Sequence, residues 1–178
     1  MKLIAIHTEP LRYEVIADSA LTLPGRPWFI PECGEAASWQ LQPMLAVRIS
    51  RLGKSISPKF APRYFDAITV AFRLMPLNSE GMPLVSVASI IDFGIELGQW
   101  TAAAEEGAIT LNIAGNEIKL ENLSEKVSET IAEISKLATL KMGDTLLLPL
   151  PLHPLEANEG AKFSATINGV PVMESHLR

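Results

Sequence analysis

Apolar positions along this chain come in short runs cut by Pro, Gly and Asn, the rhythm of strands and turns. Residues 3–6 (Leu-Ile-Ala-Ile) predict a buried strand, and residues 13–17 a second one, followed by a loop closed at Pro24-Gly25. Trp28, Phe29 and Ile30 stand between Pro27 and Pro31, which marks an edge strand or an extended arm. Residues 44–50 and 67–74 are apolar and β-branched, and Pro76 is expected to end the second run. Between them Ser57, with Pro58 in first position, predicts a short helix to about Asp66. Residues 84–91 fit strand or helix equally well.

The second half is clearer. Ile109, Leu111 and Ile113 alternate with Thr110 and Asn112, a half-buried strand that turns at Ala114-Gly115-Asn116 into a partner over 117–121. Asn122 and Glu125 have the spacing of a capping box. Val127, Ile131, Ile134 and Leu137 follow at helical spacing. Residues 145–148 predict a buried strand. Asn168-Gly169, between the runs 163–167 and 170–173, predicts a hairpin through a type I′ turn. About nine strands and two or three short helices result, without regular βαβ units. The fold class is therefore α+β and mainly β, in one domain over residues 1–178.

Composition narrows the function classes. The chain has 178 residues, 48% hydrophobic and 20% charged, which suits a folded domain that needs no disulfide or metal to stay folded. A net charge of −5 disfavours phosphate backbones, so no nucleic-acid partner is expected. The lone cysteine, Cys33, permits no internal disulfide and no thiolate zinc site. The first apolar run stops at His7, too short for a signal segment, and no run reaches a membrane span. A cytoplasmic protein without a membrane partner is expected.

Unaided chemistry is sparse. His7, His153 and His176 are scattered, and neither a phosphate-binding glycine loop nor a nucleophile elbow occurs. The pairs Glu105-Glu106 and Glu32/Glu35 read as solvated turns, and Trp28, Trp39 and Trp100 as core or packing residues.

Two segments carry more. Residues 47–56 (Val-Arg-Ile-Ser-Arg-Leu-Gly-Lys-Ser-Ile) with residues 60–70 (Phe-Ala-Pro-Arg-Tyr-Phe-Asp-Ala-Ile-Thr-Val) form one block. The other is Ile134-Ser135-Lys136 with residues 139–146 (Thr-Leu-Lys-Met-Gly-Asp-Thr-Leu). Together with Asp18-Ser19-Ala20-Leu21 and Trp28-Phe29-Ile30-Pro31, they resemble the fumarylacetoacetate hydrolase family, over most of the chain. That resemblance implies a mixed β-roll, a homodimer, and Mg²⁺ or Mn²⁺ held by three carboxylates. The family's metal stabilises a pyruvate-like enolate while carbon–carbon bonds beside a β-dicarbonyl are cleaved or isomerised.

The chemical positions depart from the family. Its E-x-E ligand pair falls on Gln42 and Met44, and its aspartate ligand on Arg73. Its lysine falls near Ser89, upstream of Asp92-Phe93-Gly94, and its late TGTP turn on Leu148-Pro149-Leu150-Pro151. Its general-base region aligns with residues 9–13, so Tyr13 stands where a histidine is expected. The ligand site thus changes from net negative to net positive, and an amide, a thioether and a guanidinium are poor company for a hard dication.

The expectation is a divergent, shortened, catalytically inactive relative, a pseudoenzyme with its metal site lost and no cofactor. Gln42, Met44, Arg73, Ser89 and Asp92 would line the vestigial pocket. The alternative is a surviving Mg²⁺- or Mn²⁺-dependent hydrolase of acylpyruvates or keto acids. Arg73 is either a fork for a small carboxylate ligand or the partner of Asp92 or Glu96. Residues 149–159 read as a surface loop closing the pocket mouth.

Overall fold

The computed structural model describes residues 1–8, 11–22, 27–103 and 107–178. The strands are β1 (Leu3–Thr8), β2 (Leu11–Ile16), β3 (Ser38–Ile49), β4 (Phe65–Leu77), β5 (Ile95–Leu97) and β6 (Thr101–Ala102). They continue with β7 (Ile109–Ile113), β8 (Asn116–Leu120), β9 (Thr145–Pro149), β10 (Leu155–Glu156), β11 (Lys162–Ile167) and β12 (Val170–His176). Among the described residues two α-helices interrupt them, the single turn α1 (Val85–Ala88) and the amphipathic α2 (Leu123–Leu137). The larger sheet runs β2-β1-β9-β3-β4-β5, with β10 joined to β3 and β6 to β4. It is mixed, because β1 and β9 are parallel. The smaller sheet runs β12-β11-β7-β8.

Alternation sorts the strands of the larger sheet into two faces. Leu41, Leu45, Val47, Ile68, Val70 and Phe72 face the smaller sheet and α2 across the main core. Phe72 meets Phe163 there, with ring centroids 5.7 Å apart. The helix contributes Leu123, Val127, Ile131 and Ile134. On the other face Leu3, Ala5, Ile16, Met44, Ala46, Ala71, Ile95 and Leu147 form a second, smaller core.

That second face is the inside of a roll. β2 and β4 are four steps apart in the sheet, roughly 19 Å if it were flat. Yet Glu14 on β2 and Arg73 on β4 are in direct contact, with an oxygen and a nitrogen 2.6 Å apart. The sheet must therefore curl until its ends approach. The chain leaving β2 completes the turn, since Leu21 bridges Ile95 and the Thr22 amide donates to the Ile95 carbonyl at 2.8 Å.

Several local expectations are corrected. The predicted helix from Ser57 is a turn followed by a short 3-10 segment, Ala61–Tyr64. β3 begins six residues earlier than the apolar run, and β4 passes through Pro76, which pairs with Trp39. Asn122 stands at the start of α2 in the left-handed region (φ 53°) and its side chain caps nothing, so no capping box forms. Residues 28–30 make one bridge, Trp28 to Leu177, and are an arm more than a strand. The Asn168-Gly169 hairpin forms as expected, with φ of 50° and 78°. Pro24-Gly25 and Glu105-Glu106 lie outside the described residues. Among the described residues no helix is long and apolar enough to cross a membrane.

Candidate functional site

Register decides which side chains meet inside the roll. Gln42 and Arg73 are directly opposed on β3 and β4, and Met44 opposes Ala71 one layer deeper. Their side chains share the inner face. On β1 the same face carries Leu3, Ala5 and His7, and on β2 Glu14 and Ile16, with Ala5 opposite Glu14. The interior is thus layered like a narrow barrel. Ala5, Met44, Ala71 and Leu147 make an apolar layer, and a polar layer of His7, Glu14, Gln42 and Arg73 sits at one end.

Arg73 is wholly buried, at 0% exposure. Its terminal nitrogens grip Glu14 in a fork: Nη1 donates to Oε2 at 2.9 Å and Nη2 to Oε1 at 2.6 Å. The His7 Nε2 lies 2.9 Å from the same Oε2. Burial penalises the Glu14 carboxylate, but the hydrogen bonds and positive charge of Arg73, with His7 added, outweigh it. The group is held below the ordinary glutamate range. Arg73 Nε and Gln42 Oε1 are buried without a hydrogen-bond partner among the described residues.

Of the five pocket candidates, the roll brings Gln42, Met44 and Arg73 onto one face. Ser89 and Asp92 lie outside these two strands, between α1 and β5. The Ser89 hydroxyl donates to the Ser86 carbonyl, and Asp92 is exposed. Neither Asp92 nor Glu96 is the partner of Arg73. Glu96 lies on the opposite face and accepts a very short hydrogen bond from Ser175. Its own pKa is raised by burial, against the lowering effect of that bond.

The fork offered to a small carboxylate is filled by Glu14, a residue the sequence did not single out. Its neighbour Tyr13, the expected stand-in for a base, packs against the outer core instead. The signal for Glu14 was available as register. A glutamate on a strand paired with apolar β1 must face inward at either odd or even positions, and the inward set contains it.

The residues present do not suit the family's dication. Mg²⁺ and Mn²⁺ take several oxygen ligands. The three positions that the sequence resemblance aligns with the family's metal ligands supply an amide, a thioether and a guanidinium, and the nearby carboxylate has both oxygens committed to Arg73. Among the described residues no three His, Cys, Asp or Glu side chains converge as metal ligands.

The fold has known counterparts. No protein-family model matches the chain, and no curated protein sequence does. Solved structures do. A 5-carboxymethyl-2-hydroxymuconate delta-isomerase from Mycobacterium smegmatis superposes with a TM-score of 0.78 at 18% identity, over 99% of this chain and 76% of that one. A fumarylpyruvate hydrolase from Pseudomonas aeruginosa, solved with Mn²⁺ and pyruvate, gives 0.77 at 15% identity, over 99% and 89%. A maleylpyruvate hydrolase from Sphingobium gives 0.76 at 18%, over 99% and 69%. With twelve strands among its described residues, rolled sheet and near-complete superposition on these enzymes, the chain has the fumarylacetoacetate hydrolase-like fold.

Proposed function

We propose that this protein is a catalytically silent relative of the fumarylacetoacetate hydrolases that keeps their roll as a binding or regulatory scaffold. One observation supports the reading: the Arg73 guanidinium is buried and clasped by Glu14, at a position that the sequence resemblance aligns with one of the family's metal ligands. The site already has its own cation, and the charge that would attract a metal is spent internally. A dication beside a buried guanidinium would meet repulsion strengthened by the low local dielectric. Without a Lewis acid on both oxygens of a pyruvate-like group, the enolate has no stabiliser at these positions.

The competing reading is a divergent enzyme acting on acylpyruvates or related keto acids. The shared fold of hydrolases and isomerases favours it. The two separate in one assay. Purified protein is mixed with fumarylpyruvate, and loss of the enol absorbance is followed with Mn²⁺, with Mg²⁺ and with chelator. No rate above the uncatalysed reaction is expected. Metal-dependent hydrolysis abolished by chelator would establish the enzyme reading instead.

A further inference from the structure

A second feature lies outside the roll, near the end that carries the Arg73 layer. Leu45 and Leu148 are directly opposed on β3 and β9 and face outward, away from Met44 and Leu147. With Leu120 and Leu123 they floor a cleft of about 420 Å³, walled by residues 149–151 and the end of β1. Two lysines stand at its rim, Lys119 at the end of β8 and Lys126 in the second turn of α2. Lys119 is shared with Glu121, at 3.4 Å and well exposed. Lys126 has no ion pair within 4 Å among the described residues. Among the described residues no carboxylate lines the cleft, although the chain as a whole carries a net charge of −5.

A leucine floor under a cationic rim selects for amphipathic anions. The apolar part gains by leaving water, and the head keeps its solvation beside the ammonium groups. Two other clefts among the described residues lack that combination. One of about 430 Å³, along β11 and β12, mixes Lys162 and His176 with Glu174 and has a single large apolar side chain. A smaller one of about 290 Å³ holds both Glu96 and Glu174.

We infer that the cleft between Leu45, Leu120, Leu123 and Leu148 binds a small organic carboxylate with an apolar body, its head at Lys119 and Lys126. This gives the proposed binding role a ligand class and places the ligand away from the Arg73 fork. It would hold equally for an active or a silent roll, because binding and turnover are read separately.

The test uses the full chain and octanoate, with octan-1-ol as the uncharged counterpart and acetate as the head alone. Binding is followed by calorimetry and by leucine methyl shifts. Octanoate is expected to saturate, with shifts confined to Leu45, Leu120, Leu123 and Leu148. Acetate should bind at least tenfold more weakly. Lys119→Ala/Lys126→Ala, two exposed positions outside the core, should weaken octanoate about tenfold and leave octanol unchanged. Each single variant should give part of that loss. Equal affinity for octanol and octanoate would overturn the inference. So would shifts centred on residues 162–176, or no saturation by about 10 mM.

Discussion

Arg73→Met and Glu14→Gln, separately and together, probe the polar layer most sharply. Arg73 is fully buried, so Glu14→Gln leaves its guanidinium uncompensated inside the roll. Breaking a buried pair from one side costs about 3–5 kcal/mol, and this cut belongs at the upper end. Arg73→Met leaves Glu14 with His7 at 2.9 Å and a side chain 12% exposed, so the lower end, about 3 kcal/mol, is expected. For a chain of this length each kcal/mol moves the melting temperature by about 2–4 °C, so the Glu14 variant should melt roughly 10–20 °C lower.

The double variant removes both charges and should lie within about 1–2 kcal/mol of wild type, because an apolar replacement of a buried pair is often close to neutral. Urea unfolding at pH 7 measures all three. The pH dependence follows from the depressed Glu14 pKa. Its stabilising contribution is present above the unfolded carboxyl pKa and is lost as pH falls through the folded one. The gap between wild type and Glu14→Gln should therefore shrink on acidification. Single-variant costs below 1 kcal/mol, or costs that simply add in the double, would refute the reasoning.

Other sites respond in different senses. Asp144 is buried and accepts from the Lys2 amide, the Lys2 ammonium and the Lys141 amide, at 3.0, 2.5 and 2.8 Å. Burial works against its charge, but these bonds hold its pKa below the usual aspartate range. Asp144→Asn should cost about 1–3 kcal/mol at pH 7 by urea unfolding, and the loss should fade in acid. Glu96 is the opposite case. Burial raises its pKa, so the fold favours the protonated form and loses stability as pH rises through the folded pKa. Glu96→Gln should raise the melting temperature at neutral pH and leave it unchanged in acid. At Gly98 an added Cβ would lie 2.8 Å from the Val172 carbonyl oxygen, where β5 passes β12, so Gly98→Ala should cost about 1–3 kcal/mol in the same assay.

Much of the architecture was legible because its signals are local. The alternation of Ile109, Leu111 and Ile113, the Asn168-Gly169 turn and the stripe from Val127 to Ile134 each need only neighbouring residues. The long strands were harder to bound. Gln40 and Gln42 interrupt the apolar run, yet they extend β3, since Gln42 serves the polar layer and not the solvent. Pro76 lacks an amide hydrogen but sits near the end of β4, beyond the stretch paired with β5, where strand geometry persists.

Leu137 fits the helical period and is nevertheless 72% exposed, because α2 ends there. Placement of Gln42, Met44 and Arg73 on one face follows from counting residues along two strands. The partner of Arg73 does not, because Glu14 is near only once the sheet has rolled through four strand spacings. Contacts across a closed sheet are a property of curvature, which no stretch of neighbouring residues encodes.

The claim that an internal ion pair stands in for the family's metal meets its most direct test in a calorimetric titration. Chelator-treated protein is titrated with Mn²⁺, alone and with oxalate as a mimic of the pyruvate enolate. No binding heat in either arm is predicted, because Gln42, Met44 and a clasped Arg73 offer the ion no adequate oxygen set. Micromolar binding strengthened by oxalate would contradict the account and restore a metal-dependent hydrolase to this roll.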